Sequence, residues 1–282
     1  GPCLNASGRL DTAKRALELL CAKTRREAVM LAEDLKALND SRKEMTEKGV
    51  AQAIEQIETT SLKEDKVLVV YLPDCHESIA GIIAGRIREQ YNKPVIVLTK
   101  AEEGVKGSGR SIEAYNMYES LSECKEYFLK FGGHKMAAGL SLKEENIEPL
   151  RQKLNNNSSL TKEDFEEKIV IDVPMPISYI TEKLIAQLEK CEPFGVGNEK
   201  PVFAQKGITI LSENRLGKEK NVGKYRITDG YCEMEMIYFG DLDAFSSFYK
   251  EKGKISIAYY PTVNEFRNQR TIQVVLKAYK EA

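Results

Sequence analysis

Apolar residues recur three and four positions apart through the start of the chain: Ala13, Leu17 and Leu20, then Ala28, Leu31, Leu35 and Leu38. That spacing predicts helix across residues 9–58. Between the two runs "TRRE" reads as a capping box, with Thr24 accepting from the amide of Glu27 and Glu27 reaching back. Two helices, or one interrupted helix, satisfy the pattern. The stretch "NDSRKEMTEKGVAQAIEQIE" is highly charged with a thin apolar stripe, as in an exposed connecting helix. Upstream, in "NASGR", Asn5 or Ser7 is placed to cap the following helix. Arg9 near that helix start is unfavourable for the helix dipole, which hints at an anionic partner.

The period then changes. "KVLVVYL" (66–72) and "KPVIVLTK" (93–100) are short β-branched runs, read as buried strands. "SIAGIIAGRIREQY" (78–91) between them is a helix whose Gly81, Ala84 and Gly85 permit close packing. Together they form a βαβ unit, implying parallel pairing and a right-handed crossover. "VKGSGRSIE" is a glycine-interrupted strand, and "YNMYESLSECKEYFLKF" is expected to be a helix stopping at Gly132. "MAAGLSL" is a short strand and "NIEPLRQKL" a helix.

"NNNSSLTKED" (155–164) is a polar, turn-rich linker. Beyond it one helix, "SYITEKLIAQLEKC", precedes strand candidates at 202–211, 222–229, 232–240, 253–260 and 271–278. "EMEMIYF" alternates Met234, Met236 and Tyr238 on one face with Glu233 and Glu235 on the other. Five such strands suggest a small barrel of the oligonucleotide-binding (OB) type. The expected fold is an α/β domain with a βαβ-containing mixed sheet and a helical N-terminal lead, followed by an all-β OB-type barrel. The expected boundaries are 1–60 for the lead, 61–158 for the α/β domain and 165–282 for the barrel.

Composition narrows the class. With 42% hydrophobic and 30% charged residues the chain reads as a soluble globular protein. No apolar run nears the roughly 20 residues of a membrane span, and the N-terminus lacks the apolar core of a signal peptide. The cysteines Cys3, Cys21, Cys75, Cys124, Cys191 and Cys232 are scattered without a CxxC pair. That argues against a zinc site or disulfide framework and for the cytoplasm. The 42 basic residues meet 43 acidic ones, so no bulk basic field is present. A polyanion would have to be held by local clusters and backbone amides.

Three segments offer such clusters. Gly132-Gly133-His134 places two residues without Cβ before one of only two histidines. It reads as a phosphate cradle, as a metal ligand or catalytic base, or as an ordinary helix stop. In Lys106-Gly107-Ser108-Gly109-Arg110 alternate glycines suggest a bulge or a close ligand, and a hydroxyl beside a guanidinium suits phosphate; a polar edge strand is the plainer reading. "RLGKEKNVGKYR" interleaves Lys218, Lys220, Lys224 and Arg226 with Tyr225 on what reads as a loop between barrel strands. There, cations would track a single strand while the ring stacks on bases, unless the segment is only a solvated hairpin tip. "FRNQR" is a second expected tip, with Arg267 and Arg270. Asp241 and Asp243 read as turn residues, and no Asp/His cluster has metal spacing.

Four stretches carry a resemblance: "GPCLNASGRLDTA", "HESIAGIIAGRIREQYNKPVIVL", "KGSGRSIEAYNMYESL" with "FGGHKMAAGLSL", and "CEPFGVGNEKPVF". In that order they resemble the RecJ family of bacterial single-strand-specific 5′→3′ DNA exonucleases. The resemblance implies a C-terminal piece: the tail of the catalytic core, a connecting helix, the DHH-associated domain and the OB domain. The family's metal-binding Asp-His-His domain would lie outside this chain, so Mn²⁺ or Mg²⁺ is expected in the parent enzyme and none in this piece, which is expected to be inactive alone. Arg9, Ser108 and Arg110 match the positions that hold the terminal 5′-phosphate. Gly132, Gly133 and His134 match the motif lining the phosphate path. Cys3 stands where the family often has arginine, so no role is carried over to it. The implied setting is DNA repair and recombination, with single-stranded DNA and other repair proteins as partners and no membrane. Two other readings compete: a DHH-type phosphodiesterase of short oligonucleotides or cyclic dinucleotides, and a non-catalytic protein-interaction module.

Overall fold

The computed structural model describes residues 1–282 except Glu167, Lys218, Arg267 and Asn268, and the side chain of Phe266. Its contacts group into two units, 1–167 and 168–282.

The first unit opens with three helices, α1 (Pro2–Leu10), α2 (Ala13–Cys21) and α3 (Arg25–Thr59). Pro2 sits in the first turn of α1, where its fixed φ is already helical and its missing N–H costs nothing. Asn5 and Ser7 therefore lie inside α1 instead of capping a later helix, and the Ser7 hydroxyl donates to the Leu4 carbonyl at 2.8 Å. Thr24 does cap α3, accepting from the Glu27 amide at 3.2 Å. The Glu27 carboxylate reaches back one residue further than a capping box requires, to the amide of Lys23. The α3 helix is 35 residues long and buries Leu35, Gly49, Ala53 and Ile57 on one side.

Strand β1 (Leu68–Tyr71), helix α4 (Glu77–Tyr91) and strand β2 (Val95–Lys100) form the βαβ unit, with Leu68 parallel to Val95. Three antiparallel strands extend it: β3 (Val105–Arg110), β4 (Phe128–His134) and β5 (Ala137–Leu142), giving the order β1-β2-β3-β5-β4. Helices α5 (Met117–Ser122) and α6 (Ile147–Asn157) complete the unit.

The stretch expected to be helical through Phe131 is not. Helix α5 ends at Ser122, and Phe128–His134 is a strand, so Gly132 is no helix stop. Phe128 and Phe131 have helical spacing, yet both reach the core because a bulge shifts the register between Phe128 and Lys130. An extra residue in a strand turns i, i+3 spacing into one face, which is how a strand came to look helical.

One side of the sheet is closed by a core that includes Ile96, Leu98, Met117, Leu140 and Leu150. The other is covered over β1 and β2, where Leu68, Val70, Val95 and Val97 meet Ile79 and Ile83 of α4 and Ala53 and Ile57 of α3. Toward β4 that cover runs out.

The second unit is an OB-type barrel. Strands β6 (Val173–Pro174), β7 (Phe203–Leu216), β8 (Val222–Thr228), β9 (Glu233–Tyr238), β10 (Lys254–Phe266) and β11 (Gln269–Glu281) run in the order β10-β11-β9-β8-β7-β6. Pairing of β10 with β7, Tyr259 opposite Phe203, closes five of them into a barrel. Helices α7 (Glu182–Glu189) and α8 (Leu242–Lys252) flank it. The α8 helix was not expected. Asp241 is its N-cap, accepting from the amides of Asp243 and Ala244 at 3.0 and 2.9 Å.

Candidate nucleic-acid interface

The first unit gathers three of the expected residues at one place. Helix α4 begins at His76, whose Nδ1 accepts from the Ser78 amide at 3.3 Å and lies 2.7 Å from the Ser78 hydroxyl. Arg9, at the end of α1, donates to the Ser78 carbonyl at 2.9 Å. One turn on, Gly81 faces β3: a Cβ added there would stand 2.7 Å from Arg110 Nη2 and 3.3 Å from Ser108 Oγ. Gly81 was read as a packing glycine; it is the gap in which the Arg110 side chain lies. Burial, and then the positive charge of Arg9, holds the Arg110 guanidinium below its usual pKa, although it stays protonated at any physiological pH. Among the described residues neither arginine has a carboxylate partner, and Arg110 Nη1 is satisfied by the Gly109 carbonyl at 2.7 Å. Two cations, a hydroxyl and a helix N-terminus thus share one site, an arrangement that favours an anion.

Register extends the site across the sheet. Residues directly opposite in antiparallel strands project to the same face. Arg110 pairs with Ala137, and Ala137 with His134. Ser108 pairs with Gly139, and Gly139 with Gly132. Lys106 pairs with Ser141, and Ser141 with Lys130. These three rows form one platform of cations, hydroxyls and bare backbone. A Cβ on Gly132 or Gly139 would meet nothing within 4 Å, so the backbone there is open to a ligand.

Within the glycine-histidine motif the roles differ. Gly132 and His134 belong to the platform. Gly133 projects the other way, where an added Cβ would collide with the Ala137 carbonyl and Ala138 Cα, so it serves the β4–β5 hairpin. His134 Nδ1 accepts from the Met136 amide at 3.3 Å, which leaves Nε2 as the ring's donor when neutral. Sequence reading passed over His76, Ser78 and Lys130. A histidine just before a helix was the available signal for the first two; Lys130 had none until the strand register was known.

In the barrel the expected cluster comes apart. Lys224, Tyr225 and Arg226 lie on β8 and not on a loop. Strand alternation therefore sends Tyr225 opposite to its neighbours. It is 1% exposed, edge-on to Phe245 at 5.1 Å, and cannot stack on a base. Lys224 and Arg226 are paired with Glu235 and Glu233 at 2.7 and 2.6 Å. Arg270 is paired with Glu265 at 2.9 Å. Lys220 lies exposed between β7 and β8 with φ of 54°. Lys218 and Arg267 lie outside the described residues.

An α/β unit with an anion-suited platform is followed in the chain by an OB-type barrel, and both halves match family models. Residues 64–158 match the DHHA1 domain and residues 171–278 the RecJ OB domain. The chain belongs to the RecJ family. It is 33% identical over 280 residues to the single-stranded-DNA-specific exonuclease RecJ of Bacillus subtilis, covering 98% of this chain and 35% of that protein. The crystal structure of RecJ from Thermus thermophilus in complex with Mg²⁺ matches with a TM-score of 0.80 at 24% identity, over 100% of this chain and 42% of that one. A crystal structure of exonuclease RecJ bound to manganese matches 58% of this chain and 40% of that one, at 29% identity and a TM-score of 0.51. The chain thus spans less than half the length of these relatives.

Those structures carry divalent metals. Among the described residues no three His, Cys, Asp or Glu side chains gather as metal ligands. The donor set among the described residues does not fit such an ion. Among the described residues no helix is long and apolar enough to cross a membrane.

Proposed function

We propose that this chain is the substrate-positioning part of a RecJ-like 5′→3′ single-stranded DNA exonuclease acting in cytoplasmic DNA repair and recombination. The observation that carries the reading is the convergence of Arg9, Ser108 and Arg110 over the start of α4, two unpaired cations and a hydroxyl. A terminal 5′-phosphate placed there meets two guanidinium groups and relieves their repulsion. The strand continues over Gly132 and past His134 Nε2, which donates to a phosphodiester oxygen. Such contacts fix the register of the strand and read no sequence. In the barrel, Lys220, Lys224, Arg226 and Arg270 are the candidate backbone contacts, the last three after leaving a carboxylate. In the parent enzyme Mn²⁺ or Mg²⁺ would be held by residues outside this chain. On this reading the chain by itself binds single strands weakly and cleaves nothing.

Fluorescence anisotropy with 5′-phosphorylated and 5′-hydroxyl oligonucleotides tests this. The phosphorylated strand is expected to bind at least about tenfold more tightly, since a charged hydrogen bond contributes roughly 1.5–3 kcal/mol. R9A and R110A should each erase most of that preference. Affinity should fall steeply with salt, which a protein-docking module would not show. Equal binding of the two strands, or release of mononucleotides by this chain with Mn²⁺, overturns the reading.

A further inference from the structure

The platform has a second cationic row that the phosphate site does not use. Lys106 and Lys130 flank Ser141 in the row two steps along the strands from Arg110 and His134. Four residues of strand separate the rows, about 13 Å, too far for one phosphate to touch both ends. Between them lies the open row of Ser108, Gly139 and Gly132. The far row also borders a cleft of about 1100 Å³ lined by the cations Lys100, Lys106 and Lys130 and equally by the carboxylates Glu77, Glu102 and Glu103. That is room for a nucleotide unit. Lys106 is held by Glu77 at 2.7 Å. Lys130 is exposed and has no ion pair with any described residue.

A lone surface lysine is normally only a solvated charge. Lys130 differs in its setting: it shares a face, through backbone register, with the arginine site, and at Gly132 and Gly139 the surface between carries no side chain. A strand lying on that surface has its charge met at both ends and its backbone approached closely in the middle.

We propose that Lys130, with Lys106 beside it, is a second phosphate contact that holds another phosphate of the same bound strand. This rests on the reading of Arg9, Ser108 and Arg110 as a phosphate site. It makes the platform a ruler with two anion contacts, so that affinity depends on the number of phosphates the ligand carries.

The test compares thymidine 5′-monophosphate with a 5′-phosphorylated thymidine tetranucleotide on the 282-residue chain, as wild type, K130A and R110A. K130A is expected to bind the mononucleotide unchanged and the tetranucleotide about three- to tenfold more weakly. Its salt dependence on the tetranucleotide should become shallower by about 0.7 in the log–log slope, the value for one phosphate of a single strand. R110A should weaken both ligands. If R110A weakens both while K130A changes neither, or weakens both equally, the second contact is overturned and the arginine site stands. If R110A changes neither ligand, the arginine site itself falls and the second contact with it.

Discussion

Arg110 lies with its guanidinium in the notch left by Gly81, close enough to Arg9 for the two positive charges to oppose each other. A folded protein seldom concentrates like charge at a half-buried point unless something anionic repays the cost. The helix adds to the demand, because the positive end of its dipole lies at the same place.

Gly81 should therefore be a binding residue without touching ligand. In Gly81→Ala the new methyl stands against Arg110 Nη2 and displaces it. Alanine favours a helix interior over glycine by about 1 kcal/mol, so thermal stability should hold or rise slightly. Affinity for a 5′-phosphorylated oligonucleotide should drop about tenfold. Paired melting and anisotropy measurements check both halves of the expectation.

The two motif glycines should separate in a urea titration. Gly133→Ala drives a Cβ into the backbone of Ala137 and Ala138 and should cost about 1–3 kcal/mol, as overpacking does. Gly132→Ala meets nothing within 4 Å and should leave the midpoint unchanged, while weakening single-strand binding on the platform.

Tyr225 should behave as a core residue. Its hydroxyl is buried without a hydrogen-bond partner, so Tyr225→Phe should be neutral or stabilising. Tyr225→Ala should cost about 3–5 kcal/mol through the cavity left against Phe245 and Tyr249. Tyr225→Leu, which stays apolar but has no ring, should bind oligonucleotides as the wild type does once shown to be folded; a severalfold loss would restore the stacking role that burial of the ring denies.

Acid sensitivity of the barrel should centre on Glu213. Burial pushes its carboxyl up. The hydroxyls of Ser246 and Tyr249, at 2.7 and 2.8 Å, together with Lys250 and Arg215, outweigh burial and hold it below the usual carboxylate range. A carboxylate depressed in the folded state adds stability above its unfolded pKa, about 4.3, and that stability is lost as pH falls through the lower folded value. Glu213→Gln lacks this contribution. Its deficit in urea midpoint should be full near pH 7 and should shrink steadily below about pH 4.

What was legible in the chain follows local rules. β-branched runs marked β1 and β2, the capping threonine marked the start of α3, and spaced strand candidates marked the barrel. The misreadings share a cause. Phe128 and Phe131 looked helical because a bulge, set by pairing with β5, realigned them. Tyr225 looked like an exposed ring among cations because interleaving suits a loop. On a strand the same interleaving puts the ring inside. Asp241 looked like a turn residue when it caps α8, since the same carboxylate geometry serves both until the following residues pack.

By itself the sequence determined element type wherever period and caps agreed, along with the residue kinds suited to phosphate and the family motifs. Those depend on neighbours a few positions apart. Only the tertiary structure decided that Arg9 reaches Ser78 at the start of α4, that Arg110 lies in the gap left by Gly81, and that Lys130 stands in register with Lys106 through Ser141. These are pairings across strands, between helices and between helix and sheet. Their register is set by which faces bury apolar surface, a property of the whole fold and not of any short segment.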